Sequence, residues 1–154
     1  MKTMDVILTA AVTVNGMIAR HPTEVVDWSE DLQLFREQTI GQTVVMGSNT
    51  ESTLATELDG REVVVMHRDM DPETVISQTK TEKCFIIGGA QTYSRFSLYL
   101  THIFLTNHPY IFPSDSLTLF SNLEKEISLS YIRKVAIDKA LGIYQFQYRV
   151  MRVD

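Results

Sequence analysis

Three short stretches of this chain are apolar almost without interruption: Val6 to Val12, Thr43 to Met46 and Cys84 to Ile87. A strand with one face in water alternates apolar and polar side chains. A continuous apolar run is instead the pattern of a strand covered on both faces, as in a parallel sheet flanked by helices. Two of these runs pass straight into glycine, at Gly47 and at Gly88-Gly89, and helical patterning follows each.

The intervening segments supply the covering layers. Asn15-Gly16 offers a turn, and Pro22 punctuates a loop from Ala19 to Val26. Asp27 predicts a helix N-cap, with Glu30 completing a capping box. Trp28, Leu32, Phe35 and Thr39 recur at helical spacing, and Gly41 is placed as the C′ stop. After Gly47 a short helix is predicted through about Leu58; Gly60-Arg61 then turns into a third strand, Glu62 to Met66. Asp71-Pro72 reads as N-cap and first helical residue of a helix reaching about Thr79. A helix from about Gln91 and a fifth strand, Ile103 to Thr106, come next. Ser130 to Ile137 and Tyr144 to Val153, separated by Asp138-Lys139-Ala140-Leu141-Gly142, predict an antiparallel hairpin. The expected architecture is a three-layer α/β/α sandwich: a mixed, mainly parallel sheet with a C-terminal antiparallel hairpin, in one domain over residues 1–154.

Composition narrows the function by exclusion. The chain has 154 residues and a formal net charge of −5, which argues against a nucleic-acid binder that tracks phosphates with clustered Lys and Arg. No apolar run is long enough to span a bilayer, and Met1-Lys2-Thr3-Met4-Asp5 lacks the apolar core of a signal peptide. Cys84 is the only cysteine, so neither an intrachain disulfide nor a four-cysteine zinc site is expected. His21, His102 and His108 lack metal-ligand spacing, so no metal site is expected and surface or core roles are favoured. Cys84 reads as a buried small hydrophobe in its strand, and Glu124-Lys125-Glu126 as a solvated charge run. A cytoplasmic protein is the expectation, with no nucleic-acid or membrane partner.

Ligands in such folds bind outside the carboxyl ends of the strands. Both glycine-bearing strand ends are therefore candidates: Gly47-Ser48-Asn49-Thr50, and Ile87-Gly88-Gly89-Ala90-Gln91-Thr92-Tyr93. Adjacent glycines let a flat or anionic group approach bare backbone, and helix starts attract phosphate; a plain tight turn is the alternative. Asp31 is the sharper signal. On a helix begun at Trp28 it falls at the edge of the apolar stripe, one turn from Trp28 and from Phe35. A carboxylate there faces burial unless a ligand engages it; the alternative is a solvated acid complementing the helix dipole.

In four segments, Val6 to Ala19, Asp31-Leu32-Gln33-Leu34-Phe35, Val44 to Thr50 and Ile86 to Tyr93, the chain resembles dihydrofolate reductase and the related pyrimidine reductases of riboflavin synthesis. Gly60-Arg61, Phe104-Leu105-Thr106 and Asp115 follow in the matching order. The resemblance implies that Asp31 hydrogen-bonds the pterin ring and supports protonation of the substrate imine, braced by Thr106. It implies a substrate pocket of Ala10, Ala11, Leu32, Phe35 and Leu54, with Arg61 pairing the carboxylate of the glutamate tail. NADPH would lie along Ile18, Ala19, Gly47, Ser48, Asn49, Thr50, Ile87, Gly88, Gly89, Ala90, Gln91, Thr92 and Tyr93, with Gly88-Gly89 often joined by a cis peptide in that family. Tyr93 itself would otherwise be a core aromatic. Ser48 stands where these enzymes usually carry an arginine for the cofactor 2′-phosphate; His67 and Arg68 could supply that charge, or be a solvated basic pair.

The implied activity is NADPH-dependent reduction of 7,8-dihydrofolate to tetrahydrofolate, by a monomer or homodimer with nothing appended to the reductase domain. One alternative keeps fold and cofactor but reduces a ribosylated diaminopyrimidine or another pterin. Another is a non-catalytic nucleotide-binding module.

Overall fold

β1 (Asp5–Thr13) is the interior strand on which the chain is organised in the computed structural model, which describes residues 4–54 and 56–152. It pairs in parallel with β5 (Lys83–Ile86) on one edge and with β6 (His102–His108) on the other. Beyond β5 lie β3 (Thr43–Gly47) and β4 (Glu62–Met66), also parallel. Beyond β6 lie β9 (Ile143–Met151) and β8 (Ser128–Asp138), both joined by antiparallel pairing. The seven-stranded order is β4-β3-β5-β1-β6-β9-β8. Five parallel strands closed by a C-terminal hairpin is the architecture the apolar runs predict.

Alternate residues of β1 feed opposite faces. Val6, Leu8, Ala10 and Val12 join Val45, Cys84 and Ile86 in one core, covered by Val75 of α3 (Pro72–Gln78) and by Tyr93 and Phe96 of α4 (Ala90–Phe96). Ile7 joins Val44, Met46 and Phe85 in the other, against Phe35 of α1 (Leu32–Thr39) and Leu54 just past α2 (Ser48–Thr53). Phe85 and Phe96 are essentially buried; each contributes about 1.5–3 kcal/mol of burial free energy. Cys84 is fully buried, as its apolar context predicts, and burial pushes its thiol up to about 11.

Several local expectations hold. Asp71 caps α3 by accepting from the Thr74 N–H, with Pro72 as its first residue. Gly41, at φ +75, follows the end of α1. Others are corrected. The capping box at Asp27 and Glu30 does not form: α1 begins four residues later, with Asp31 at the N-cap position and no side-chain capping bond. The Glu30 N–H is instead donated to a side chain of β6, and Trp28 packs with Met17 and Phe112 in a separate cluster, so residues 27–30 are drawn off the helical path. The helix after Gly47 ends at Thr53 rather than near Leu58. A two-stranded sheet of β2 (Met17–Ala19) and β7 (Leu117–Thr118) was not expected; it is too short to leave a periodic signal. Met1 to Thr3, Ala55 and Val153, to which the readings of the first residues, the second helix and the last strand extend, lie outside the described residues.

Under α1 the sheet carries a polar network where an apolar contact would be usual. Gln38 and Gln145 exchange amide hydrogen bonds at 2.8 and 3.2 Å, Gln147 donates to Gln145, and Arg133 Nε donates to Gln147. Gln145 and Gln147 are both buried. Removing the shared member leaves buried amides unpaired, at about 1–3 kcal/mol. Gln145→Leu should therefore lower the unfolding free energy by that amount in a urea titration, despite being more apolar.

Candidate active site

The strand order reverses at β1: the chain leaves toward β3 on one side and returns to β6 on the other. In open α/β sheets this divergence opens a crevice at the carboxyl ends of the strands. Here it is a cleft of about 800 Å³. Thr9, Ala10 and Ala11 of β1 line it, with Gly47 at the end of β3, Met66 at the end of β4 and Ile87 just beyond β5. Around this floor it gathers nearly all the residues singled out above. Ile18, Ala19, Asp31, Leu32, Phe35, Leu54, Ser48, Asn49, Thr50, His67, Arg68 and the run Gly88 to Tyr93 all line it.

The glycines make the narrowest part. The Gly47 N–H donates to the Gly88 carbonyl at 2.9 Å, and the Ile87 N–H to the Val45 carbonyl at 2.9 Å, which locks the ends of β3 and β5 together. A Cβ on Gly47 would lie 2.8 Å from Thr92 Oγ1, and one on Gly88 would lie 3.0 Å from Thr50 Oγ1. Gly88 also has φ +137, a backbone conformation side chains rarely adopt. The Gly88–Gly89 peptide is cis. The starts of α2 and α4 thus meet across bare backbone, with the Thr92 and Thr50 hydroxyls packed close against the glycines.

Asp31 is half-buried on the cleft wall. Tyr93 is buried and donates its hydroxyl to the Thr9 carbonyl at 2.8 Å. Burial, and after it the Asp31 carboxylate, push the Tyr93 phenol upward; it stays a neutral donor at any physiological pH. Thr106 does not line the cleft. It is fully buried, and its Oγ1 has no hydrogen-bond partner among the described residues.

Arg61 lies in an adjoining groove with Arg36, Glu37, Glu57 and Asp59, and Leu32 borders both spaces. Its Nε donates to Thr39 Oγ1 at 3.0 Å, one Nη to the Arg36 carbonyl at 2.7 Å, and the other to the Asp59 carbonyl. One N–H on each nitrogen is engaged, which fixes the guanidinium while leaving its remaining donors for an anion.

Charge in the cleft is segregated. Glu24, Asp27 and Asp31, from the segment before α1, line one part. Burial alone would raise Glu24, but bonds from the Arg20 N–H and guanidinium hold its carboxyl below the usual range. His67 and Arg68 lie at the end of β4, and Arg95 donates to the His67 and Met70 carbonyls there. β4 is three strand spacings from β1, roughly 14 Å. The sequence reading missed Arg95, which sits on α4 one turn past the glycine motif and had no signal apart from the loop it meets. It also missed Asp27 and Glu24 as wall residues, having placed Asp27 as a helix cap. Among the described residues no cluster of potential metal ligands occurs, and no helix is long and apolar enough to cross a membrane.

A family model described as dihydrofolate reductase matches residues 5–134. Dihydrofolate reductase of Bacillus subtilis is 31% identical over 97 residues, 55% of this chain and 58% of that protein. The type 8 enzyme of Escherichia coli is 26% identical over 139 residues, 75% of this chain and 81% of that one. Among solved structures, dihydrofolate reductase from Enterococcus faecalis, complexed with NADP(H) and RAB-propyl, superposes with a TM-score of 0.73 at 18% identity, covering 96% of this chain and 97% of that one. A putative riboflavin biosynthesis protein from Shewanella sp. PV-4 gives 0.63 at 19%, covering 97% and 100%. The two structural likenesses are likenesses of fold.

Gly88→Ala should be costly on both counts, the positive φ and the contact with Thr50. A loss of about 1–3 kcal/mol is expected, read as a lowered melting temperature, together with loss of ligand binding in the cleft.

Proposed function

Since the chain belongs to the dihydrofolate reductase family, we propose that it reduces 7,8-dihydrofolate to tetrahydrofolate with NADPH. The observation that carries this reading is the single cleft joining a wall carboxylate, Asp31, to a glycine-backed surface 88–93 and a basic end at His67, Arg68 and Arg95.

NADPH fits the groups present. Gly47, Gly88 and Gly89 present bare backbone to the cleft, which a flat nicotinamide amide could approach closely. Arg68 and Arg95 are the cationic side chains among the cleft's lining, with His67 beside them, and all lie at the β4 end. They would receive a 2′-phosphate in place of the arginine absent at Ser48. Ile18, Ala19, Asn49, Thr50 and the run Ala90 to Tyr93 would hold the rest. When bound, NADPH supplies the hydride.

The chain's own task is orientation and proton management. The two oxygens of the Asp31 carboxylate can accept from adjacent ring N–H and amino groups of a pterin, a bidentate contact that fixes the ring. They also favour a proton on the neighbouring imine nitrogen, which makes the adjacent carbon more electrophilic. Ala10, Ala11, Leu32, Phe35 and Leu54 would pack the ring and the aryl group beyond it, and the free N–H groups of Arg61 would take the tail carboxylate.

A ribosylated diaminopyrimidine carries a phosphate, and its part of the cleft is lined by Glu24, Asp27 and Asp31 with no Lys or Arg. Glu24 is paired with Arg20, and Asp27 and Asp31 offer a phosphate no cationic partner on that wall, which favours the folate substrate. Following NADPH oxidation with dihydrofolate, with the pyrimidine and with neither tests the assignment. Turnover with the pyrimidine alone would refute it, and binding without turnover would leave a nucleotide-binding module. Asp31→Asn should lower kcat by about 100-fold or more with the Kd for NADPH nearly unchanged. Arg68→Glu should raise KM for NADPH about tenfold or more while leaving NADH almost unaffected, a loss of roughly 1.4 kcal/mol or more in 2′-phosphate recognition.

A further inference from the structure

His108 is fully buried at the end of β6, two residues beyond Thr106. Both ring nitrogens are engaged. Nδ1 lies 3.0 Å from the Thr106 carbonyl oxygen, and Nε2 lies 3.0 Å from the Glu30 amide nitrogen. The chemistry of the partners fixes the ring. A carbonyl only accepts, so Nδ1 carries the hydrogen; a backbone amide only donates, so Nε2 is bare. A second proton would set an Nε2–H against the Glu30 N–H, donor to donor. The ring is therefore neutral, with no nitrogen left for a metal or for proton transfer.

Its place in the chain gives it a task. Glu30 immediately precedes Asp31, the residue at the N-cap position of α1. On the C-terminal side Asp31 is fixed by helix formation, its carbonyl accepting from the Phe35 N–H at 2.9 Å. On the N-terminal side the chain is irregular, and the Glu30 to His108 hydrogen bond ties it to the sheet beside the packing of Trp28. The indole of Trp28 stands edge-on to the His108 ring, centroids 5.2 Å apart, and closes the same corner. We propose that His108 is a positioning residue for the Asp31 carboxylate: as a neutral acceptor on β6 it holds the Glu30 amide, and so sets where the carboxylate meets the substrate. This rests on the reading of Asp31 as the substrate-binding acid.

A filler ring would satisfy Trp28 without satisfying Glu30, and that difference makes the proposal testable. His108→Phe keeps the ring and removes the acceptor; His108→Gln offers a carbonyl oxygen near the Nε2 position. A displacement of about 1 Å at a reacting group costs on the order of 100-fold in rate. With the full chain, His108→Phe should lower kcat for dihydrofolate 10- to 100-fold and leave the Kd for NADPH within about twofold, well under the tenfold that 1.4 kcal/mol would produce. His108→Gln should recover most of the rate. In an Asp31→Asn background the His108→Phe change should cost little more, because both act through one carboxylate.

Wild-type kcat in His108→Phe, equal losses in the Phe and Gln variants, or full additivity with Asp31→Asn would each overturn the proposal. Should the Phe variant not fold, His108→Gln decides alone: turnover near wild type supports the acceptor role, and turnover lost with NADPH binding intact refutes it. Wild-type activity in Asp31→Asn alone is a separate result, which would remove the functional reading itself.

Discussion

β1 is hydrogen-bonded on both edges, and the rest of the structure follows from that constraint. An interior parallel strand must be covered above and below, since neither face can be left to water. The Val6-Leu8-Ala10 set and the opposing Ile7 accordingly draw helices to opposite sides. Parallel neighbours must be reached by crossovers, and β1 has its neighbours reached in opposite directions. The crevice above Thr9 to Ala11 is thus a consequence of strand order, and it exists before any particular side chain is placed in it.

What fills the crevice is sorted by distance along the sheet edge. Acidic side chains come from the segment tied to β6 through His108; the basic ones come from the end of β4 and from Arg95, which holds the loop there. The net charge of −5 describes the chain and not the cleft. A ligand with a cationic or donor-rich ring at one end and phosphate at the other matches this field in one orientation only. Orientation is the quantity a hydride transfer depends on, since the cofactor supplies the reactive hydrogen and the protein supplies alignment.

The sheet and the glycine motifs were legible in the sequence because their signals are local. An apolar run between turn residues, or two glycines after a strand, needs no knowledge of the partner. Asp71-Pro72 was legible for the same reason, as the capping carboxylate and the N–H it accepts from lie three residues apart. The start of α1 was not. Asp27 and Glu30 satisfy the spacing of a capping box, yet the Glu30 amide finds a better fixed acceptor on a strand 78 residues away. Trp28, whose spacing helped to argue for the helix, is apolar because it packs on Phe112 and His108. The sequence reading therefore selected Asp31 through a helical wheel that does not extend back to Trp28, and the cleft wall is where the structure places it.

The way Asp31 is held has a wider consequence. A carboxylate within a regular helix inherits the rigidity of the helix on both sides. One at the N-cap inherits it on one side only, and the other must be provided by tertiary structure. An apolar contact would supply little direction, because dispersion between side chains is broad in angle. A hydrogen bond accepted by a buried ring whose tautomer is fixed by its other partner is directional and leaves one geometry. The cost is a buried polar residue in a corner that an apolar side chain would fill more simply. The ring satisfies the Glu30 amide in any case; in our proposal the same bond also gives the Asp31 carboxylate its direction.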